Sequence, residues 1–316
     1  MTWRANAGID GAKVRAAMLG RVRDYFSGQD VLETETPIIM AGTATDPHVE
    51  SLCVTGAGIS GYLQPSPEHA MKRLLASGYP DIFQICKVFR DGECGANHRH
   101  EFTMIEWYRR HFDLSRIIND ALGLLDAMLD KQPLAGPETM NYRDAFLSAT
   151  GIDPLAGEID VLADCLEADD DLRNALGADH NAWLDLVMAT RVIPDLPTDR
   201  LTVIRHYPAD QAALARICPE DANVADRFEL FLGPLELANG FVELTDADEQ
   251  LARFEADRDR RLKRNQHVPP ADMALIEALR HGLPDCAGVA LGLDRILMIE
   301  QGLRDIGATL TFDPGT

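Results

Sequence analysis

The first clear periodicity runs from Lys13 to Phe26, where Val14, Met18, Val22 and Tyr25 or Phe26 recur at helical spacing. It predicts an amphipathic helix that ends at Gly28. Val31 to Ile39 then reads as an extended stretch, and Pro37 forbids a central strand position because it has no N–H to donate. Tyr62 to His69 precedes a short helical run from Ala70 to Ala76. Ser66 suits its N-cap, Pro67 its first position and Glu68 its positive end. Ile82 to Phe89 is an apolar strand that ends in Arg90. A polar loop with Gly92 and Gly95 follows, and the chain returns as a second strand, Phe102 to Tyr108. In that strand Phe102, Met104, Glu106 and Tyr108 alternate with Thr103, Ile105 and Trp107, which sets Phe102, Glu106 and Tyr108 on one face.

Helical patterns at Ser115 to Leu129, Val161 to Leu166 and Asn181 to Thr190 are interrupted by Gly136-Pro137 and by Pro194 to Pro197. The acidic run Glu167 to Asp171 reads as a solvated face, and the region of about 111–200 as a helical insertion. Leu201 to His206 is a strand leading into Tyr207-Pro208-Ala209-Asp210-Gln211-Ala212-Ala213-Leu214-Ala215. Phe228 to Phe241 reads as a hairpin, since a glycine first in a two-residue loop, Gly233-Pro234, suits a type II′ turn. In that register Leu232 faces Leu235 and Phe231 faces Glu236. Leu251 to Lys263 is a charged helix, and Pro284 to Met298 a strand rich in small residues that passes into a helix after Gly292.

Charge changes the picture most. Acidic residues outnumber basic ones by 51 to 30, giving a net charge of −21. No basic cluster exceeds the one from Arg258 to Arg264, so nucleic acid is a poor first expectation. Six cysteines without a CxxC pair favour reduced thiols over a disulfide frame or a zinc site. No apolar run approaches about 18 residues and the N-terminus lacks a signal-peptide core, which predicts a cytoplasmic enzyme without a membrane partner.

Two constellations carry chemistry. Arg90 leaving one strand and the Phe102/Glu106/Tyr108 face of the next can together serve a phosphate, an aromatic ring and an amine; the plainer reading is a hairpin with a surface loop. Glu229, two residues before Phe231, lies on the same face as Glu236, diagonally across the pair at roughly 7–8 Å. Like charges so placed repel unless a cation lies between them. Mg²⁺, a hard ion that bridges carboxylates and triphosphate oxygens, fits; exposed acids on an edge hairpin are the alternative.

Phe89-Arg90, the loop, and Glu101-Phe102-Thr103-Met104-Ile105-Glu106-Trp107-Tyr108 resemble motif 2 of the class II aminoacyl-tRNA synthetases, lysyl branch. The helix, glycine, strand and proline at 13–39 resemble motif 1, and Pro284 to Met298 resembles motif 3. From about residue 10 to about 300 the chain is most similar to the truncated lysyl-tRNA synthetase relatives that attach β-lysine to elongation factor P. These share a Pro-Ala-x-Gln-Ala-x-Leu-Ala segment, here Pro208 to Ala215, which ordinary lysyl-tRNA synthetases lack.

The resemblance implies an α+β fold, the class II catalytic domain, with a mostly antiparallel sheet flanked by helices. It implies a single domain over 1–316, without an anticodon-binding OB domain before motif 1, and a homodimer built on motif 1. ATP and Mg²⁺ are the implied cofactors, with Glu229 and Glu236 as metal ligands. Arg90 and Arg295 become the catalytic residues, on the α- and γ-phosphates, and Phe102 with Arg295 sandwiches adenine. Asp91, Gly92, Glu93 and Arg99, with Glu236, Leu237 and Gly292, complete the ATP site. Ser66, Pro67, Glu68, Glu106 and Tyr108 hold lysine or β-lysine, together with Asn239, Phe241, Glu243 and Ala290. Elongation factor P is the implied acceptor, and tRNA is not expected.

Two departures stand out. The family commonly has Arg-x-Glu at motif 2, whereas here Glu93 stands one place later, after Gly92. The loop ends Asn97-His98-Arg99-His100 where His-Asn-Pro is common, which puts the role of Arg99 in question. A truncated lysyl-tRNA synthetase that charges tRNA and a catalytically silent regulatory paralogue are the rival readings.

Overall fold

The computed structural model describes residues 3–129 and 134–313. The chain opens with helix α1 (Ile9–Ser27) and the short strands β1 (Leu32–Glu33), β2 (Ile39–Met40), β3 (Cys53–Gly56) and β4 (Ile59–Leu63). Helix α2 (Glu68–Ala76), strands β5 (Ile82–Phe89) and β6 (Glu101–Arg110) and helix α3 (Leu114–Met128) follow. Then come β7 (Ala135–Asn141), α4 (Tyr142–Thr150), α5 (Ile159–Cys165), α6 (Asp170–Leu176) and α7 (His180–Val187). Strands β8 (Arg200–Arg205), β9 (Arg227–Leu232) and β10 (Leu235–Val242) lead to α8 (Ala247–Lys263), α9 (Met273–Gly282), β11 (Cys286–Gly292) and α10 (Leu293–Glu300). The class is α+β. The chain divides into two compact units, residues 1–132 with 243–316, and residues 133–242.

In the first unit β1, β5, β6 and β11 lie side by side, β1 parallel to β5 and the others antiparallel. Strands β2, β4 and β3 form a separate small sheet. The apolar stripe of α1 buries Met18, Val22 and Phe26, as its spacing predicts. Phe26 stacks on Phe83 of β5 with ring centroids 4.4 Å apart and meets Trp107 of β6 at 5.5 Å. Trp107 points away from the Glu106/Tyr108 face and donates from Nε1 to Asp120 of α3 at 3.1 Å. Asp294 fixes α10 to β6 by accepting the Thr103 N–H at 2.7 Å and pairing with Arg15. This sets the neighbouring Arg295 at the start of α10. Within the predicted basic cluster, Arg261 is 1 % exposed and donates to the carbonyls of Thr45, Asp46, Val49 and His267, so it orders a loop rather than a surface.

In the second unit β10, β9, β8 and β7 are neighbours, with only the β7–β8 pair parallel. Tyr142, Phe146, Trp183, Leu184 and Phe231 centre its core. The hairpin has the predicted register, Leu232 opposite Leu235 and Phe231 opposite Glu236. Gly233 takes φ 54°, and a type I′ turn is excluded because Pro234 cannot follow it with positive φ.

Two local expectations change. Gly136-Pro137 does not simply interrupt helices; it lies inside β7. Proline is tolerated there because β7 is the outermost strand of the set, and the ladder shifts register between Ala135 and Glu138. Helix α2 begins at Glu68 with Pro67 in the capping position, one residue after the expected cap. The Ser66 hydroxyl still accepts the Glu68 N–H, at 3.0 Å, so it does the capping chemistry from one place earlier.

Candidate active site

Strand β6 carries Glu106 and Tyr108 on one face, and the Tyr108 hydroxyl donates to Glu106 Oε1 at 2.6 Å. The Ser66 hydroxyl donates to the other oxygen, Oε2, at 2.7 Å. Beside them the Lys72 ammonium, from the next turn of α2, lies 2.7 Å from Glu68 Oε1 and 2.5 Å from Glu243 Oε2. Lys72, Glu106, Tyr108 and Glu243 are each at most 2 % exposed. An open cleft lies at Ser66-Pro67-Glu68, lined also by Met40, Thr43 and Gln64.

The electrostatics follow from burying two carboxylates, Glu106 and Glu243, with one ammonium, beside the half-buried Glu68. Burial pushes Glu106 up to about 7, and nearby Glu68 adds to it against the hydrogen bonds from Tyr108 and Ser66. Burial likewise pushes Glu243 to about 8; Lys72 opposes this, while Glu68 and Glu106 reinforce it. Burial pulls Lys72 down, but Glu243 and Glu68 outweigh it, so its ammonium stays protonated. Burial, with the acids around it, holds the Tyr108 phenol well above its ordinary value. The pocket therefore sets three carboxylates against one ammonium, with Glu106 and Glu243 held above the usual carboxylate range.

Strand β11 supplies the floor. Ala290 pairs with Glu106 and Gly288 with Tyr108, so their α-carbon substituents share the pocket face. At Gly288 a methyl group would lie 2.5 Å from the Tyr108 ring and 2.6 Å from Glu243 Oε1. Only glycine lets the two side chains close over the strand there.

Where β5 ends, the Arg90 guanidinium lies 5.3 Å from the Phe102 ring centroid. It donates to the Pro65 carbonyl at 3.3 Å and meets Glu93 Oε1 at 3.4 Å. Gly92 takes φ 76°, and Glu93 after it lies beside Arg90. Asp91 accepts the Gly92 N–H at 2.9 Å and its backbone bridges Glu50. Gly292 is the N-cap of α10, and Arg295 meets the loop at His98 Nε2, 2.7 Å, and at the Asn97 carbonyl, 3.4 Å. Arg99 pairs with Asp305 and Asp313, each at 2.8 Å.

In the second unit Glu229 and Glu236 share one face of the hairpin, and a bulge at Leu237 brings Asn239 opposite Glu229. Burial pushes Glu229 up to about 7; Arg227 opposes this and Glu236 adds to it. Arg227 donates to Glu229 at 2.6 Å, to Asn239 Oδ1 at 3.4 Å and to the Gln211 carbonyl at 2.6 Å. Its guanidinium also stands 4.6 Å from the Tyr207 ring centroid, so Gln211 of the Pro208 to Ala215 segment and Glu229 are tied through one side chain. Phe241 packs on Ala212, Ala215 and Ala225 of the same region. Paired carboxylates of this kind suit a hard cation with oxygen ligands. His206, Cys218 and Asp226 also offer ligand atoms within 4.8 Å of one another, and Asp226 is paired with Arg216 at 2.7 Å much as Glu229 is with Arg227 at 2.6 Å.

The structure thus gathers Ser66, Glu68, Glu106, Tyr108, Glu243 and Ala290 in the first unit, and Glu229, Glu236 and Asn239 in the second. Lys72, Gly288 and Arg227 were not singled out from the sequence. For Lys72 a signal existed, the i, i+4 spacing from Glu68, but such pairs ordinarily lie on a surface.

The family model for class II tRNA synthetases (D, K and N) matches residues 1–314. The chain belongs to this family. It is 43 % identical over 319 aligned positions to the elongation factor P–(R)-β-lysine ligase of Klebsiella pneumoniae strain 342, covering 98 % of this chain and 97 % of that protein. The ligase of the same name from Salmonella typhi gives the same identity and coverage, and that from Salmonella dublin 42 %.

Proposed function

We propose that this protein is an ATP-dependent ligase that activates a lysine-type amino acid, (R)-β-lysine above all, and transfers it to a lysine side chain of elongation factor P. The observation that carries this reading is the pocket in which buried Glu106 and Glu243 and half-buried Glu68 gather near buried Lys72, with acid to spare for a diammonium substrate. The likeness to ligases of that name, and the Pro208 to Ala215 segment, supply the acceptor.

In the first step a substrate carboxylate oxygen attacks the α-phosphorus of ATP, and pyrophosphate leaves with the electron pair of the broken P–O bond. In the second, the neutral acceptor amine attacks the acyl carbon, the C–O bond to AMP breaks with its electron pair going to AMP, and the amine's proton is released to solvent. The carboxylate is its own nucleophile, so the protein orients and stabilises charge. Arg90 grips the α-phosphate and Arg295 the γ-phosphate, with adenine against Phe102. Glu229 and Glu236 would hold Mg²⁺, which neutralises triphosphate charge when bound. Leu32, Ile38 and Ile39, 42–46 % exposed near the motif 1 proline, offer apolar area for a homodimer. Among the described residues no helix is long and apolar enough to cross a membrane.

The test is to incubate the protein with ATP, Mg²⁺, each lysine isomer and elongation factor P, then weigh the acceptor and measure pyrophosphate exchange. The acceptor should gain one β-lysyl group. Aminoacyl-tRNA formed as fast as pyrophosphate exchange would overturn the reading in favour of a tRNA synthetase.

Isomer choice has its own residue. The Ala290 methyl faces the pocket opposite Glu106, where lysyl-tRNA synthetases tend to have glycine. It takes space beside the α-amine of α-lysine, whereas β-lysine carries that amine one carbon further on. Overpacking by one methyl typically costs about 1–3 kcal/mol, roughly tenfold or more in preference. Ala290→Gly should improve α-lysine activation by about that factor and leave β-lysine nearly unchanged. An unmoved ratio of the two exchange rates removes Ala290 from the selectivity argument.

A further inference from the structure

Lys72 stands where a substrate ammonium would be expected, between two acids of an amine-binding pocket. Stability alone is a poor reason for it. Desolvating a buried ion pair usually costs as much as the pairing returns, and an apolar residue of similar volume commonly does as well. The arrangement makes sense by charge count. Glu68, Glu106 and Glu243 bring three negative charges and Lys72 one positive charge. A lysine-type substrate adds two ammonium groups, while its carboxylate belongs to the reaction with ATP. Only with Lys72 in place does the loaded pocket come to neutrality. Geometry agrees. Lys72 links Glu68 at the start of α2 to Glu243, whose N–H is held by the Cys286 carbonyl at 2.9 Å, while Glu106 is oriented separately by Ser66 and Tyr108.

We propose that Lys72 is a positioning and charge-setting residue of the amino-acid pocket: it remains between Glu68 and Glu243, fixes their oxygens, and makes the site complementary to a diammonium substrate. The inference rests on reading this pocket as the amine site.

The test uses the intact protein and pyrophosphate exchange. Lys72→Ala removes three carbons and the ammonium, a gap that n-propylammonium matches. Amino-acid kcat/KM should fall roughly 30-fold or more, the scale for truncating one partner of a buried charge pair. The KM for ATP should move by less than about twofold, and n-propylammonium should restore at least about fivefold of the loss while n-propanol should not. Thermal melting is followed in parallel so that kinetics are compared only below the transition. Lys72→Met keeps the packing and loses the charge. If Lys72→Ala does not fold, this variant carries the test, with the same expected loss. An unchanged amino-acid kcat/KM in a folded variant overturns the proposal. So does a loss that n-propanol repairs equally, or that neither compound repairs, since either points to packing. Glu106→Gln separates the two levels: if it too leaves amino-acid kcat/KM unchanged, the pocket reading itself fails, whereas a silent Lys72 beside a damaged Glu106→Gln sinks this inference alone.

Discussion

Arg90→Ala should lower amino-acid-dependent ATP–pyrophosphate exchange by about 10²–10³-fold, the usual effect of removing one preorganised donor to developing charge. The guanidinium is aimed but not consumed: its two hydrogen bonds, to the Pro65 carbonyl and to Glu93, are long at 3.3 and 3.4 Å. Phe102 beside it gives the planar group a fixed seat, and its side chain is still 26 % exposed to an incoming phosphate. Because the interaction strengthens as negative charge gathers on the α-phosphate, the loss should fall on kcat and leave the KM for ATP less affected. Exchange at the unmutated level would falsify the assignment of Arg90 to the reacting phosphate. A regulatory paralogue would behave differently before any mutation, binding ATP without exchange.

The parts of this site that were legible in the sequence are those set by local rules. Alternation alone put Glu106 and Tyr108 on one face, and their 2.6 Å hydrogen bond follows from it. The Gly233-Pro234 turn fixed the register that places Glu229 and Glu236 together, because loop length and a glycine with positive φ leave few hairpins to choose from. What escaped depends on partners remote in sequence. Lys72 has a surface-like pattern with Glu68, and only folding brings Glu243 to its other side and closes both off from water. Gly288 reads as one more small residue near a nucleotide, and the ring of Tyr108 that demands it comes from another strand. Strand β7 was hidden by Gly136-Pro137, since residue preference cannot tell an outermost strand, which tolerates proline, from a broken helix. Arg99 likewise has partners remote in sequence, Asp305 and Asp313, which its motif position does not reveal.

Proton release gives the second large effect. Burial first, and the crowding of acids second, holds Glu106 near 7 and Glu243 near 8. Below those values the empty pocket is protonated, and an ammonium group must expel a proton to bind the ionised carboxylate. The sign is therefore fixed: as pH rises from 6 towards 8, the KM for the lysine-type amino acid should fall, by about tenfold per pH unit for each proton released. Above 8 it should level off, until the substrate amines themselves lose protons near their ordinary pKa of about 10. Glu106→Gln removes one titrating group and one ion-pair partner together. Its KM should rise by roughly 30-fold or more at pH 8, the scale for truncating one side of a buried charge pair. Its KM–pH slope should become shallower by about one proton's worth, since only Glu243 is left to deprotonate on binding. Calorimetry in buffers of different ionisation enthalpy counts the same protons directly. A KM that stays flat from pH 6 to 8 in the unmutated protein, or that rises, would mean that the carboxylates of this pocket are already ionised when the substrate arrives. The burial argument that links their protonation to recognition of a diammonium substrate would then be wrong.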